Sequence, residues 1–236
     1  MSIRKIAVAA AAVAAFTSAF AAAEEEVPNQ GVGAVGWTPA QIGLCAPVSF
    51  PWGFDWDLKG IGIDVLYTEN VLLKGLVVSG IATRSRDEMS GVAISGLCNW
   101  NDRDTYGINI TLGANCGFAD NYGLDIGTFS MREDMKGLDI NFLGSHQRNY
   151  TGVQVAGLCN FTLGDFTGGD VALGLNMAKD VTGCEIGGIN FAHALTGCQI
   201  GFFNICEECK SGIQIGIVNI IMDNKIKVLP ITNFYF

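Results

Sequence analysis

The chain has 236 residues, including 31 glycines and only 5 prolines, and its formal net charge is −9. Hydrophobic residues make up 49% of the chain and charged residues 16%, so it can bury a core and is not a low-complexity disordered chain. The acidic balance excludes nucleic acid as the expected partner, because nucleic-acid binders concentrate Lys and Arg where they meet phosphates.

Residues 1–23 have the pattern of a secretory signal peptide. Arg4 and Lys5 precede an alanine-rich apolar stretch, and Ala21 and Ala23 form a small-x-small pattern that predicts cleavage before Glu24. The apolar stretch is too short to span a membrane. We therefore expect an exported protein of the periplasm, the outer membrane or the cell surface. The polar, acidic segment 24–40 is predicted to be a flexible linker.

From residue 60 to 226 the sequence repeats. Each unit opens with glycine, alternates apolar and polar residues, and often closes with asparagine, as in 183–190, 197–204 and 212–219. Successive opening glycines lie 14–16 residues apart, a spacing typical of a repeat architecture. The opening glycines are Gly60, Gly75, Gly91, Gly107, Gly123, Gly137, Gly152, Gly168, Gly183, Gly197 and Gly212.

The alternation within each unit has a period of two, which predicts β-strands with one buried and one wet face. The conventional assignment buries the apolar set, with Ile126, Ile140 and Val155 in one interior column. On that assignment Asp125 and Asp139 are neighbouring, solvated carboxylates, a weak cation site at most. Charge runs such as 132–134 are predicted to be solvated loops between strands.

Two all-β architectures can use this repeat. The first is a β-solenoid of about eleven coils of 14–16 residues, stacked in parallel about 4.8 Å apart. The alternative is an antiparallel outer-membrane β-barrel of about 12 strands, which the terminal Phe236 and Tyr106, Tyr122 and Tyr150 would suit. The uniform unit length favours the solenoid, because barrel connections usually alternate between short and long.

In a solenoid the closing asparagines would stack as a ladder. Asparagine tolerates the left-handed conformation of a corner, and its amide can bond to the next coil. The predicted ladder residues are Asn99, Asn115, Asn160, Asn176, Asn190, Asn204 and Asn219.

The segments on either side of the array depart from the repeat. Residues 41–59 contain Phe50, Trp52, Phe54 and Trp56, and we expect this aromatic segment to cover the first coil. Residues 227–236 are predicted to form a C-terminal cap, because Pro230 cannot donate to a further strand.

The Gly-apolar-Gln-Ile-Gly-x-x-Asn units, the Phe-Pro-Trp segment at 50–52 and the ending Leu-Pro-Ile-Thr-Asn-Phe-Tyr-Phe resemble the bacterial surface-repeat proteins first named from spirochaetes. The resemblance covers about 50–236. It implies an exported envelope or surface protein without an established biochemical activity, and it brings no catalytic residues to carry over.

Eight cysteines accompany the export signal, which raises the expectation of disulfides. Cys184 and Cys198 hold equal positions in adjacent units, within bridging distance in a solenoid, although two buried thiols would suit the site equally well. Cys206 and Cys209 form a C-x-x-C that we place in a loop between repeats, as a local disulfide or two free thiols rather than a zinc or redox site.

No triad, nucleotide-binding loop or metal motif is present in the sequence, and His146 and His193 lack convincing partners. We therefore expect no cofactor, no metal site and no enzymatic activity. The expected function is that of a structural or adhesive component of the cell envelope or surface. An outer-membrane barrel or pore is the alternative.

Overall fold

A computed structural model describes residues 33–235 of the chain and shows a β-solenoid of stacked parallel coils. Within this range there is no helix, so none that could span a membrane. The strands are β1 Gly36–Cys45, β2 Val48–Phe50, β3 Trp56–Asn70, β4 Leu73–Ser79, β5 Ala82–Ser85, β6 Met89–Ser95, β7 Cys98–Asn101, β8 Thr105–Thr111, β9 Ala114–Gly117, β10 Asn121–Ala156, β11 Cys159–Ile221 and β12 Val228–Tyr235.

Equivalent residues of successive repeats lie side by side, as parallel stacking requires. β3, β4, β6, β8 and β10 pair in parallel in that order, and their registers align the opening glycines from Gly60 to Gly123. A second ladder of parallel strands joins β3, β5, β7, β9 and β10. The long strands β10 and β11 continue through several coils each. The predicted solenoid is confirmed, and the antiparallel alternative is not the fold.

The opening glycines are required by close approach between coils. A Cβ built on Gly152 would lie 1.9 Å from the carbonyl oxygen of Gly137, and one on Gly168 would lie 1.9 Å from that of Gly152. Both glycines also have positive φ angles, 139° and 135°, which other residues rarely adopt. The same contact recurs at each coil from Gly75 to Gly197. The repeat therefore needs glycine for both space and backbone conformation.

The predicted assignment of the two strand faces is wrong. Asp125, Asp139 and Gln154 are fully buried, whereas Ile140 is 38% exposed and Ile126 is only partly buried. From the coil of Gly107 onward, the polar member of each alternating pair points into the solenoid and the apolar member points out, whereas the second and third coils turn Val77 and Ala93 inward. Polar side chains at equal positions can bond to one another along a parallel stack, so the interior does not have to be apolar.

Two apolar clusters share the interior with these polar side chains. The first contains Leu58, Leu73, Val77, Met89 and Ala93. The second fills the later coils with Met135, Tyr150, Phe166, Ala178, Val181, Ala192, Leu195, Cys206, Cys209 and Ile221. Eight of these fifteen residues lie at the end of a coil, two positions before the next opening glycine.

Both ends of the stack differ in detail from the sequence expectations. β1 begins at Gly36, inside the segment predicted to be a linker, and pairs in parallel with β3, so the boundary at residue 40 falls within a strand. Phe50 and Trp52 are 71% and 72% exposed, and the backbones of β1 and β2 cover the first coil instead. At the other end β12 pairs with β11 in the antiparallel direction. The predicted signal peptide and linker residues 24–32 lie outside the described residues.

Two adjacent glycines provide a matched test of this fold. Gly168→Ala should destabilise the protein by roughly 3 kcal/mol or more, because it forces a Cβ against backbone at a positive φ. Gly169→Ala should leave stability within about 1 kcal/mol, since its Cβ would meet only Val153 Cγ2 at 3.9 Å. Urea denaturation monitored by circular dichroism measures both. Equal effects of the two substitutions would contradict the glycine contact.

Candidate functional site

The structure arranges the seven predicted ladder asparagines in two runs. Asn99 and Asn115 form the first, joined by a bond of 3.1 Å between Asn99 Nδ2 and Asn115 Oδ1. The second run is Asn160, Asn176, Asn190, Asn204 and Asn219, with amide-to-amide distances of 2.8–3.3 Å. All seven side chains are 0–1% exposed. None has a positive φ, so burial and stacking, rather than a left-handed corner, explain the choice of asparagine.

Each asparagine in the second run uses both of its amide hydrogens. Asn190 Nδ2 donates to Asn204 Oδ1 at 2.8 Å and to the carbonyl of Ile200 at 2.9 Å. Its own Oδ1 accepts from Asn176 Nδ2 at 2.9 Å. Between the two runs the column continues through Ser130 and Ser145, and Ser145 Oγ donates to Asn160 Oδ1 at 2.8 Å. Within each run the ladder therefore connects consecutive coils by side chains as well as by backbone.

Substitution of Asn190 tests the contribution of the ladder. Asn190→Ala should cost about 1–3 kcal/mol of unfolding free energy, because buried groups on both neighbouring asparagines lose their partner. Asn190→Asp should cost at least as much, since a carboxylate cannot donate to Asn204. Chemical denaturation measures both changes. The exposed Thr182→Ala serves as the control, with an expected change within about 0.5 kcal/mol. Near-neutral results for both Asn190 variants would contradict a stabilising ladder.

An ion pair lies buried in the middle of the stack. Arg132 Nε is 2.9 Å from Asp125 Oδ2, and the two side chains are 1% and 0% exposed. Asn109 Nδ2 donates to the other Asp125 oxygen at 2.8 Å, and Arg132 Nη1 donates to the carbonyl of Cys116 at 3.0 Å. The sequence placed Arg132 in a solvated charge run, and this is wrong because its position in the coil points inward. A buried guanidinium needs such partners to offset its lost hydration.

Asp139 lies in the next coil at the same position as Asp125. Its carboxylate accepts bonds from Ser130 Oγ at 2.5 Å, Asn141 Nδ2 at 2.7 Å and Gln147 Nε2 at 2.6 Å. Burial, together with the negative charge of Asp125, raises the pKa of Asp139 to about 7 despite these donors. The sequence correctly places Asp125 and Asp139 at equal positions in successive coils, but it wrongly leaves them in solvent.

The same interior position carries two further acids in later coils. Burial raises the pKa of Asp170 to about 7, and it raises that of Glu185 well above its ordinary value. Asp170 accepts one bond, from Asn160 Nδ2, and its second oxygen has no partner. Glu185 accepts from Gln199 Nε2 at 2.6 Å. These acids therefore favour the protonated state when the protein is folded.

The raised pKa values make stability depend on pH. Because the pKa of Asp170 is raised from 3.8 to about 7 on folding, its contribution is most favourable below pH 4 and is lost as pH rises to 7. Asp170→Asn should therefore flatten the fall in stability between pH 4 and 7 and stabilise the protein at pH 8. Denaturation at a series of pH values measures this. Asp165→Asn, at an exposed site, controls for the change in net charge. An unchanged pH profile for Asp170→Asn would contradict its assignment.

The four cysteines that the sequence offers for disulfides fall into two chemical groups. Cys184 and Cys198 form a disulfide between adjacent coils, with Cα atoms 4.6 Å apart, on the outer side of the strands. Cys206 and Cys209 are free thiols within β11 and point into the second apolar cluster, so the predicted loop position is wrong. Burial raises the pKa of both thiols, which makes them poor nucleophiles.

A small surface cavity beside β5 and β7 is a weak candidate for ligand binding. It has a volume of about 300 Å³ and is lined by Tyr67, Thr83, Arg84 and Trp100. Arg84 Nη2 already lies 2.8 Å from Asp102 Oδ2, and Trp100 Nε1 donates to the other Asp102 oxygen at 2.6 Å. The polar side chains of Arg84 and Trp100 in the cavity wall thus already have partners outside it. Within residues 33–235, no group of three or more His, Cys, Asp or Glu side chains could hold a metal ion.

The strongest candidate is an apolar outer face, which we define as the outward residues at the second and fourth positions of each repeat. The most exposed of these residues are Ile61 and Ile63, at 53% and 52%, followed by Val153 and Ile186, at 45% and 43%. Neither position carries a charged residue in any repeat. The second-position residues are Ile61, Leu76, Val92, Ile108, Leu124, Leu138, Val153, Gly169, Cys184, Cys198 and Ile213, and the fourth-position residues are Ile63, Val78, Ile94, Ile110, Ile126, Ile140, Val155, Val171, Ile186, Ile200 and Ile215.

The apolar outer face continues onto the terminal strands. Ile42 of β1 pairs with Ile63 and is 65% exposed, and Phe234 of β12 pairs with Ile213 and is 57% exposed. Leu112, Leu158 and Leu173 protrude beside it at the adjoining corner, with 57–83% exposure. A contiguous apolar surface larger than a few hundred Å² marks an interaction site. The sequence already contained this signal, in two repeat positions that never carry a charge.

Comparison with known proteins adds no relative: no family model, curated protein or solved structure matches the chain.

Proposed function

We propose that the protein is an exported, non-enzymatic structural or adhesive component of a bacterial cell envelope or surface, and that it is a surface-repeat protein of the family its sequence resembles. Its contact site is the apolar outer face, which forms a continuous surface rather than a pocket. The sequence 1–23 directs export, and the solenoid acts outside the cytoplasm. An acidic chain with a charge of −9 is not suited to nucleic acid.

The observation that carries this proposal is the uninterrupted apolar outer face. Many solvent-facing strand positions carry a polar residue in proteins that remain monomeric in water, because large exposed apolar patches promote association. Here two positions stay apolar or small through every repeat, while the inward residue between them varies among Gly, Val, Ala, Asn, Asp, Gln and Glu. Such a regular surface suits a contact that extends along the solenoid, as an adhesive or structural protein requires.

The disulfide supports export independently of the signal pattern. Disulfides persist in oxidising compartments outside the cytoplasm and are rare within it. Cys184 and Cys198 are only partly buried, so reductants would reach the bond. A protein that stays in the cytoplasm would hold these residues as thiols.

Cell fractionation of a bacterium that expresses the full chain with its own N-terminus tests the proposal. We expect the chain outside the cytoplasm, beginning at Glu24 by mass spectrometry, and digested when protease is added to intact cells. Ala23→Arg should block processing, because the residue before the cleavage site must be small. It serves as the matched control for the assigned cleavage site.

Attachment is measured on the exported protein. Ile186→Lys places a charge on the apolar outer face and should release the protein from washed envelopes, whereas Leu163→Lys, at a residue that is 62% exposed and off that face, should not. A chain that retains Met1 and remains in the cytoplasm would contradict the proposed function. Release by both substitutions or by neither would contradict the role of the face.

A further inference from the structure

We propose that the apolar outer face binds the same face of a second copy of this chain, so that two solenoids associate face to face about a two-fold axis. The partner of the face is then a second copy of this chain. The proposal rests on the proposed function only because both take the apolar outer face as the contact site. The association involves no covalent step. Its contact surface consists of the second and fourth positions of the repeats, together with Ile42 and Phe234 at the ends.

The area of the face matches what a stable dimer needs. With strands about 4.8 Å apart and residues rising about 3.3 Å each, the two columns span a strip roughly 55 Å by 13 Å. A dimer that covers this strip on both copies buries about 1,400–1,500 Å², within the range of specific protein interfaces. Two sheets can also meet face to face at about 10 Å with their side chains interdigitated.

The chemistry of the face favours a copy of itself over a lipid surface. Its columns consist of Ile, Val and Leu with three small or sulfur-containing exceptions, and both columns lack the Lys and Arg that attach proteins to anionic lipids. Two copies of the apolar outer face, in contrast, have the same length and the same strand spacing, so their surfaces are complementary to each other.

Two-fold symmetry gives the middle of the face a special position. A two-fold axis that lies in the plane of the interface, parallel to the strands, turns the first coil of one copy onto the last coil of the other, and the central coil onto itself. The central coil begins at Gly137, the sixth of the eleven opening glycines, and it carries Leu138 and Ile140 on the face. Charges introduced at Ile140 of both copies therefore lie close together across the axis.

Sedimentation equilibrium of the full chain, purified without a tag, measures the association. We expect dimers at micromolar concentration, and Ile140→Lys should raise the dissociation constant at least about 100-fold, because it buries two like charges without partners. Leu163→Lys makes the same change at a more exposed residue off the face and should leave the constant within about twofold. Circular dichroism and thermal unfolding verify that both variants keep the fold.

A mixture of two variants separates face-to-face pairing from general damage. Ile140→Lys and Ile140→Asp should each be monomeric alone, whereas their mixture should form a mixed dimer at least about tenfold tighter than either homodimer, because opposite charges meet across the axis. Failure of the mixture to associate would overturn the two-fold arrangement.

Flotation with vesicles of phosphatidylethanolamine and phosphatidylglycerol tests the competing occupant. A wild-type chain that stays monomeric up to about 100 µM but floats with these vesicles would overturn the dimer in favour of a lipid surface. A monomer that does not float, or a dimer that persists in Ile140→Lys, would also overturn it. None of these results depends on export or surface exposure, so failure of the dimer is distinguishable from failure of the proposed function.

Discussion

The contact between opening glycines of successive coils is the constraint on which the rest of the structure depends. At each coil from Gly75 onward, the carbonyl oxygen of the preceding opening glycine or its equivalent occupies the space where a Cβ would lie. This contact fixes the phase of every coil relative to the next. Because side chains alternate along a strand, fixing the phase also keeps equal repeat positions on the same face in every coil. The asparagine ladder, the interior acids and the apolar outer face all follow from that one register.

The sequence predicted the architecture because both of its signals are local and repeated. The spacing of 14–16 residues and the alternation with a period of two are enough to indicate parallel coils and strands. The same signals cannot tell which of the two alternating sets is buried, because a period of two is symmetric between the faces. The conventional rule then placed Ile140 inside and Asp139 outside, and the structure reverses both.

The physical reason for the reversal lies in what a narrow coil can enclose. Along a parallel stack, equal side chains lie one strand spacing apart, and amides and hydroxyls at that spacing bond to each other without solvent. Asn176 and Asn190 illustrate this, because each donates one amide hydrogen to the side chain of the next asparagine and the other to a backbone carbonyl of the next coil. Asn204 in turn accepts the bond from Asn190. The absence of charge at the second and fourth positions does not reveal the reversal, because residues that face a core and residues on an outer face covered by a partner both lack charge.

The interior acids show how much this arrangement depends on context. Asp125 has a guanidinium partner in Arg132, whereas Asp170 has a single amide donor and Glu185 has one as well. Burial with so few donors makes the charged form of these carboxylates less stable, and this raises the pKa values of Asp170 and Glu185. The apolar clusters beside these polar side chains offset part of the cost of this burial, yet the branched residues that would ordinarily enlarge such a core lie on the outside. The free energy available from burying those residues is realised only when another surface covers them. A fold with this division of residues therefore gains more from association than one whose apolar residues are already inside.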